Sequence, residues 1–224
     1  MIRRDYILRM IEELRRVLEQ ILLLKERQRW QEVAGTLDQQ FSQLVGVAPS
    51  EAVHLSEIDL LSRLLAGDAS EFVRERTFFL IALFKEAGDS SVATGRPDEG
   101  CSFYVKGLEL LLGTLAGTDP SECPDFVPPV EVFVAALADL PLAPRTLALL
   151  MHHYERIGEF SKAEDALYRL LDLEDRPSGV MEFGVAFYER LGRHPDEALA
   201  SGNLPRAELE AGLAELRARK AGRS

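Results

Sequence analysis

Cysteine, histidine and tryptophan are scarce in this chain, and their scarcity removes several classes of function. Cys101 and Cys123 are the only cysteines, 22 residues apart. They are too few for a disulfide framework or a cysteine metal site, and they suit two idle thiols in a reducing cytoplasm. The four histidines include no His-Glu-x-x-His pattern. His152 and His153 are adjacent, so on a helix they point about 100° apart and do not hold one ion together. No Gly-x-Ser-x-Gly nucleophile turn occurs, and residues 88–96, although rich in glycine and hydroxyls, lack the Gly-Lys-Ser/Thr of a phosphate cradle. No metal, cofactor or catalytic set is expected, and a binding protein is a better reading than an enzyme.

Also missing are long apolar runs and strand-like alternation. Nothing approaches the roughly 20 apolar residues that span a bilayer. Arg3 and Arg4 are not followed by an uninterrupted apolar segment, so a signal peptide is not expected and the compartment reads as cytoplasmic. Without useful two-residue alternation the fold class is all-α.

What is present is ordinary globular material. Hydrophobic residues make up 46% and charged residues 28% of 224, enough for one large domain or two small ones. The net charge of −11 is unevenly spread. Residues 1–30 carry eight Lys/Arg against five Asp/Glu, and residues 206–224 five against three. Residues 31–205 therefore hold 13 basic and 29 acidic side chains, a net −16. Such a body repels phosphate backbones, so nucleic acid is not an expected partner.

The helices can be placed from spacing alone. Residues 4–27 carry Ile7, Leu8, Ile11, Leu14, Leu18, Ile21 and Leu22 on one face, with Asp5 as an N-terminal cap or a first-turn acid. A stricter heptad through Ile7, Met10, Leu14, Val17, Ile21 and Leu24 also fits, which leaves two uses for this helix: a homodimer seam, or a face laid on its own domain. Trp30, Val33, Leu37, Phe41 and Leu44 mark a second helix ending at Gly46. A short one is led by Ser56 with Asp59 three residues later and stops at Gly67. Residues 71–87 form another, followed by a polar loop over 89–97 and a helix from Asp98, which together read as a hairpin with a stretched loop. Residues 117–129, broken by Pro120, Pro124, Pro128 and Pro129, form a connection. The expected organisation is thus an N-terminal region 1–116, this connection, and C-terminal hairpins over 130–224, with one continuous domain as the alternative. A helix over 130–139 opens the last region.

The only internal echo lies between 145 and 191. His153-Tyr154-Glu155-Arg156-Ile157-Gly158 returns as Phe187-Tyr188-Glu189-Arg190-Leu191-Gly192, a step of 34 residues from Tyr154 to Tyr188. That step is the period of a two-helix tetratricopeptide unit. Leu147, Leu150, Tyr154, Gly158, Phe160, Ala163 and Leu167 resemble the signature of such a unit. Leu147, Leu150 and Tyr154 supply the inner stripe, Gly158 the tight turn, and Ala163 the small residue at the helix crossing. Met151, Leu170 and Asp175 depart from the pattern. The second copy matches only over 180–191, before Pro195 interrupts and a further helix begins near Asn203-Leu204-Pro205. The chain as a whole, opening Asp5-Tyr6-Ile7-Leu8-Arg9, also resembles an uncharacterised bacterial helical family, which implies a fold and no activity.

The resemblance to tetratricopeptide units implies stacked antiparallel hairpins, with partners lying on the exposed face of the first helices. In this sequence that face holds Ala148, His152, Glu155 and Arg156, then Glu182, Ala186, Glu189 and Arg190. The repeated Glu-Arg suits a protein or peptide partner of mixed charge. The same pairs also read, and more simply, as solvated or as pairing within the chain. A second functional class stays open: a small-molecule binder or enzyme with its pocket between the N-terminal helices and the hairpins.

Overall fold

The computed structural model describes residues 2–66, 72–117, 123–175 and 178–221, without the side chains of residues 2–11. Among the described residues there are twelve helices and no strand, so the fold is all-α. Packing divides the chain into two compact units, 1–140 and 141–224.

The first unit contains α1 (Ile2–Glu26), α2 (Trp30–Val45), α3 (Pro49–Ala52), α4 (Glu57–Leu65), α5 (Val73–Ala93), α6 (Pro97–Ala116) and α7 (Val130–Ala136). Helix α7, grouped with the C-terminal hairpins in the sequence reading, packs on α6. The centre of the unit is α5, in which every residue from Phe78 to Phe84 is buried. A helix apolar on all sides needs neighbours on all sides, and α1, α2, α4 and α6 provide them. Phe41 meets Phe84 edge-on at 5.0 Å, and Phe103 lies 6.3 Å beyond.

The stretched loop after Ala87 does not form. Helix α5 continues to Ala93, and residues 94–96 alone separate it from α6. The small polar residues that resemble a turn are instead a close-packing surface. A Cβ on Gly88 would stand 2.4 Å from the Tyr104 ring, and Ser90 and Ser91 are buried. Gly95, at φ +79°, makes the short turn. The expected helix start at Glu71, the stop at Gly67 and residues 118–122 of the connection lie outside the described residues.

Helix α1 starts ahead of Asp5, so that residue is not its cap. The helix packs on α2 and α5 of its own unit: Leu18 and Ile21 of the expected stripe are buried, with Leu24, whereas Leu22 is exposed. The side chains of Ile7, Leu8, Met10 and Ile11 lie outside the described residues. Near its C-terminus Lys25 enters a part-buried ionic cluster. Lys25 donates to Glu86 and Asp89, both at 2.5 Å; Lys85 donates to Asp89 at 2.8 Å and Glu86 at 3.1 Å; the Tyr104 hydroxyl donates to Asp89 at 2.8 Å. Arginines close the ends of α2 and α4. Arg63 donates to the Val45 carbonyl, and Arg76 to those of Leu64 and Leu44. Ser56 caps α4 by accepting from the Asp59 N–H at 3.1 Å.

The second unit contains α8 (Pro144–Ile157), α9 (Phe160–Leu171), α10 (Val180–Leu191), α11 (Asp196–Ser201) and α12 (Arg206–Ala221). Helices α8 and α9 form a hairpin turned by Gly158 at φ +81°. Leu147, Leu150, Tyr154, Phe160, Ala163 and Leu167 are all buried in it or against its neighbours. After α10 the pattern changes. The main packing partner of α10 is α12, and the sequence reading missed the short α11, which Pro195 starts rather than prevents. Where α12 crosses, Gly212 leaves room for the Tyr188 hydroxyl, which donates to Glu164 at 2.5 Å.

Candidate functional site

Helices α8 and α10 run side by side and put part of the anticipated face together. His152, exposed on α8, presents its ring to the edge of Phe183 on α10, with centroids 5.5 Å apart. One turn further on, Glu155 and Arg190 join in a two-pronged pair: the Nε and Nη2 of Arg190 each donate to a different oxygen of Glu155 at 2.8 Å. This fork-to-fork geometry is the strongest arrangement open to the two groups. The hydrogen bond to Glu155 holds the guanidinium above its ordinary range, against the opposing effect of burial.

The other predicted residues go elsewhere. Glu182 pairs with Lys220 at 2.9 Å and Glu189 with Arg217 at 2.8 Å, both on the flank of α10 that α12 covers. Lys220 holds the Glu182 carboxyl below the usual carboxylate range. Their spacing of seven residues places Glu182 and Glu189 on one helix face, turned from the α8 seam. Arg156 is exposed on α8. The Glu-Arg repeat therefore does not form one row of alternating charge. It supplies one interhelical pair at the seam, Glu155–Arg190, and one on the opposite flank, Glu189–Arg217.

At the N-terminal end of the same seam is a cavity of about 440 Å³, lined chiefly by apolar groups, among them Pro144, Ala148, Leu170, Val180 and Phe183, with Arg145 at its side. Continuing the α8 stripe one turn back from Ala148 and His152 would have found Arg145. Phe183 sits a turn before Ala186 and was the missed aromatic. Leu170 and Val180 could not have been found from the stripe, because they come from α9 and from the start of α10. Among the described residues no group of three or more His, Cys, Asp or Glu is arranged to hold a metal ion, and no helix is long and apolar enough to cross a membrane.

Residues 1–221 match the model of a family of unknown function, DUF6483. The chain belongs to this family. The match runs through both units, from α1 to the end of α12, so neither unit is an addition to the family's pattern. No curated protein and no solved structure matches the chain.

Proposed function

We propose that the protein is a non-catalytic interaction module of the cytoplasm, and that its C-terminal unit holds a protein or peptide segment along the α8–α10 seam. The reading rests on one observation, the apolar cavity beside Phe183 opening on the face of two neighbouring helices. A concave apolar hole next to fixed charge is the form in which a peptide's anchor side chain is bound. Phe183 and Leu170 would grip that anchor, Arg145 would favour a carboxylate near it, and the Glu155–Arg190 pair would set the direction of the remainder. The resemblance of α8 and α9 to a tetratricopeptide hairpin supports the same face, since such hairpins use their first helices for partners.

Selection of random 12-residue peptides on the immobilised protein tests the reading. Enriched peptides should share one large apolar residue, and Ala148→Trp, which fills the cavity from its half-buried wall, should abolish their retention without lowering the melting temperature. Enrichment of no common sequence, or full retention by the folded Ala148→Trp protein, would remove it.

A further inference from the structure

Along α1 the burial of the apolar face fades towards the start of the helix. Leu18, Ile21 and Leu24 are buried, whereas Leu14 and Val17 are half-buried. The neighbours explain the gradient. Followed backwards from Lys25, α1 meets α5 first at Asp89 and Glu86, then at Ala82 beside Leu18, and then at Phe79 beside Leu14 and Val17. It runs along α2 in the opposite sense, and Leu14 and Val17 lie next to Gln40, Gln43 and Leu44, close to the end of α2 at Val45. Both tracks end within two turns, since α5 starts at Val73 and α2 stops at Val45. Helix α1 itself goes on to Ile2. About its first two turns therefore extend roughly 10 Å past the two helices on which it chiefly packs. Where those neighbours give out there is a groove of about 300 Å³ between α1 and α2, floored by the buried Phe79 and walled by Leu14, Val17 and Leu44. Glu13 is the one charged residue among the described ones that line it.

The occupant of this groove is specified by the helix itself. In the sequence the stripe continues through Met10 and Ile7 at heptad spacing, with Tyr6 and Ile11 at the positions on either side of it. Residues 2–9 carry Arg3, Arg4 and Arg9 against Asp5 alone, and the turn after them brings Glu12 and Glu13. Two copies of α1 aligned in parallel would set the arginines on one another. Aligned antiparallel, they set the basic turns of each copy on the acidic turn of the other. One register satisfies both patterns. With the position of Ile7 opposite that of Met10 in the second copy, Tyr6 falls opposite Ile11, and Arg4 opposite Glu13 at the groove. We propose that the protein is a homodimer joined by antiparallel pairing of the first turns of α1, the start of each helix lying over the Leu14–Val17–Leu44 groove of the other. An anionic membrane is the other surface that a basic amphipathic helix fits. The net −16 carried over residues 31–205 disfavours it by repulsion. The pairing belongs to the first unit and does not depend on the peptide reading of the second.

Sedimentation velocity of the full chain from about 1 µM to about 100 µM spans the range in which a small interface associates. The mass should rise with concentration from one chain towards two. Ile7→Glu should weaken the dimer at least about tenfold, because it puts a charge into the seam. Its far-ultraviolet helical signal should be kept, since position 7 lies beyond the packing of its own unit. Glu13→Arg, at an exposed position, and Arg4→Glu should each weaken association about threefold or more. The double variant Arg4→Glu/Glu13→Arg should restore it. A chain that stays monomeric over the whole range, a dimer indifferent to Ile7→Glu, or single charge reversals that the double variant does not rescue would each overturn the assignment. So would a monomer that floats with phosphatidylglycerol vesicles, which would give the start of α1 to a membrane surface instead.

Discussion

Glu164 shows how one side chain can set a pH response. Burial pushes its carboxyl above the usual carboxylate range, and Glu208, Asp165 and Glu215 push the same way, while the hydrogen bond from Tyr188 pulls it back only in part. Burial, with the hydrogen bond to Glu164, also drives the Tyr188 phenol far above its ordinary range, so it stays a donor at every working pH. A carboxyl whose folded-state pKa is raised favours folding in its protonated form, and that contribution is lost as pH rises from its unfolded value through its folded one. Glu164→Gln removes the titration and keeps an oxygen for Tyr188 to donate to. We expect the variant to match or exceed the wild-type melting temperature at neutral pH, and to lose the fall in stability just above the ordinary carboxylate range. A melting temperature clearly lower at pH 7 would show that the charge itself supports the fold.

At the scale of elements, the tie between α1 and α5 carries the clearest prediction. Burial would raise the Asp89 carboxyl, but hydrogen bonds from Lys25 and Lys85 outweigh it and hold it below its ordinary value. Burial would lower Lys85, and its contacts with Glu86 and Asp89 reverse that and raise it. Stability from Asp89 is therefore present above its ordinary value and lost as pH falls through its depressed one; that from Lys85 is present below its ordinary value and lost as pH rises through its raised one. The cluster is intact across the neutral range. Lys25→Met keeps the apolar stem but leaves Glu86 and Asp89 to share Lys85, and should cost about 3 kcal/mol in urea unfolding at pH 7. The loss should be concentrated in hydrogen-exchange protection of α1, and it should shrink as the solution is acidified below the carboxylate range. A loss that is independent of pH would point to packing of the stem instead.

For the whole molecule, charge is the property that matters most. A net −11, gathered as −16 over residues 31–205, opposes compaction through self-repulsion. The ion pairs at the surface recover little of this. Raising sodium chloride from about 10 mM to about 300 mM, which shortens the screening length several-fold, should raise the melting temperature by a few degrees. A fall would mean that exposed pairs such as Glu189–Arg217 contribute more than the general repulsion costs.

Much of this fold is legible in the residue order because it is settled within a few turns. The stripe Val33, Leu37, Phe41 needs no knowledge of what it faces, and Gly46 and Gly158 end their helices by backbone geometry alone. The same holds for Ser56 as a cap and for the absence of strands among the described residues. What depends on partners distant in sequence was not legible. Residues 88–93 have the composition of a loop, and they are helical because α6 offers Tyr104 and Glu99 as neighbours to Gly88 and Ser91. The heptad in α1 was open to two uses, and of its described residues Ile21 and Leu24 are buried while Leu14 and Val17 are half-buried, a difference that spacing does not show. Glu182, Glu189 and Arg190 are all charged positions of α10 and look alike along the chain. Which of them meets α8 and which meets α12 follows from how α10 is rotated between two helices, and that rotation is set by the packing of Gly184, Phe187 and Leu191. Local hydrogen bonding and periodicity determined the elements; only the tertiary structure decided which charges pair, because pairing is a property of space and not of order.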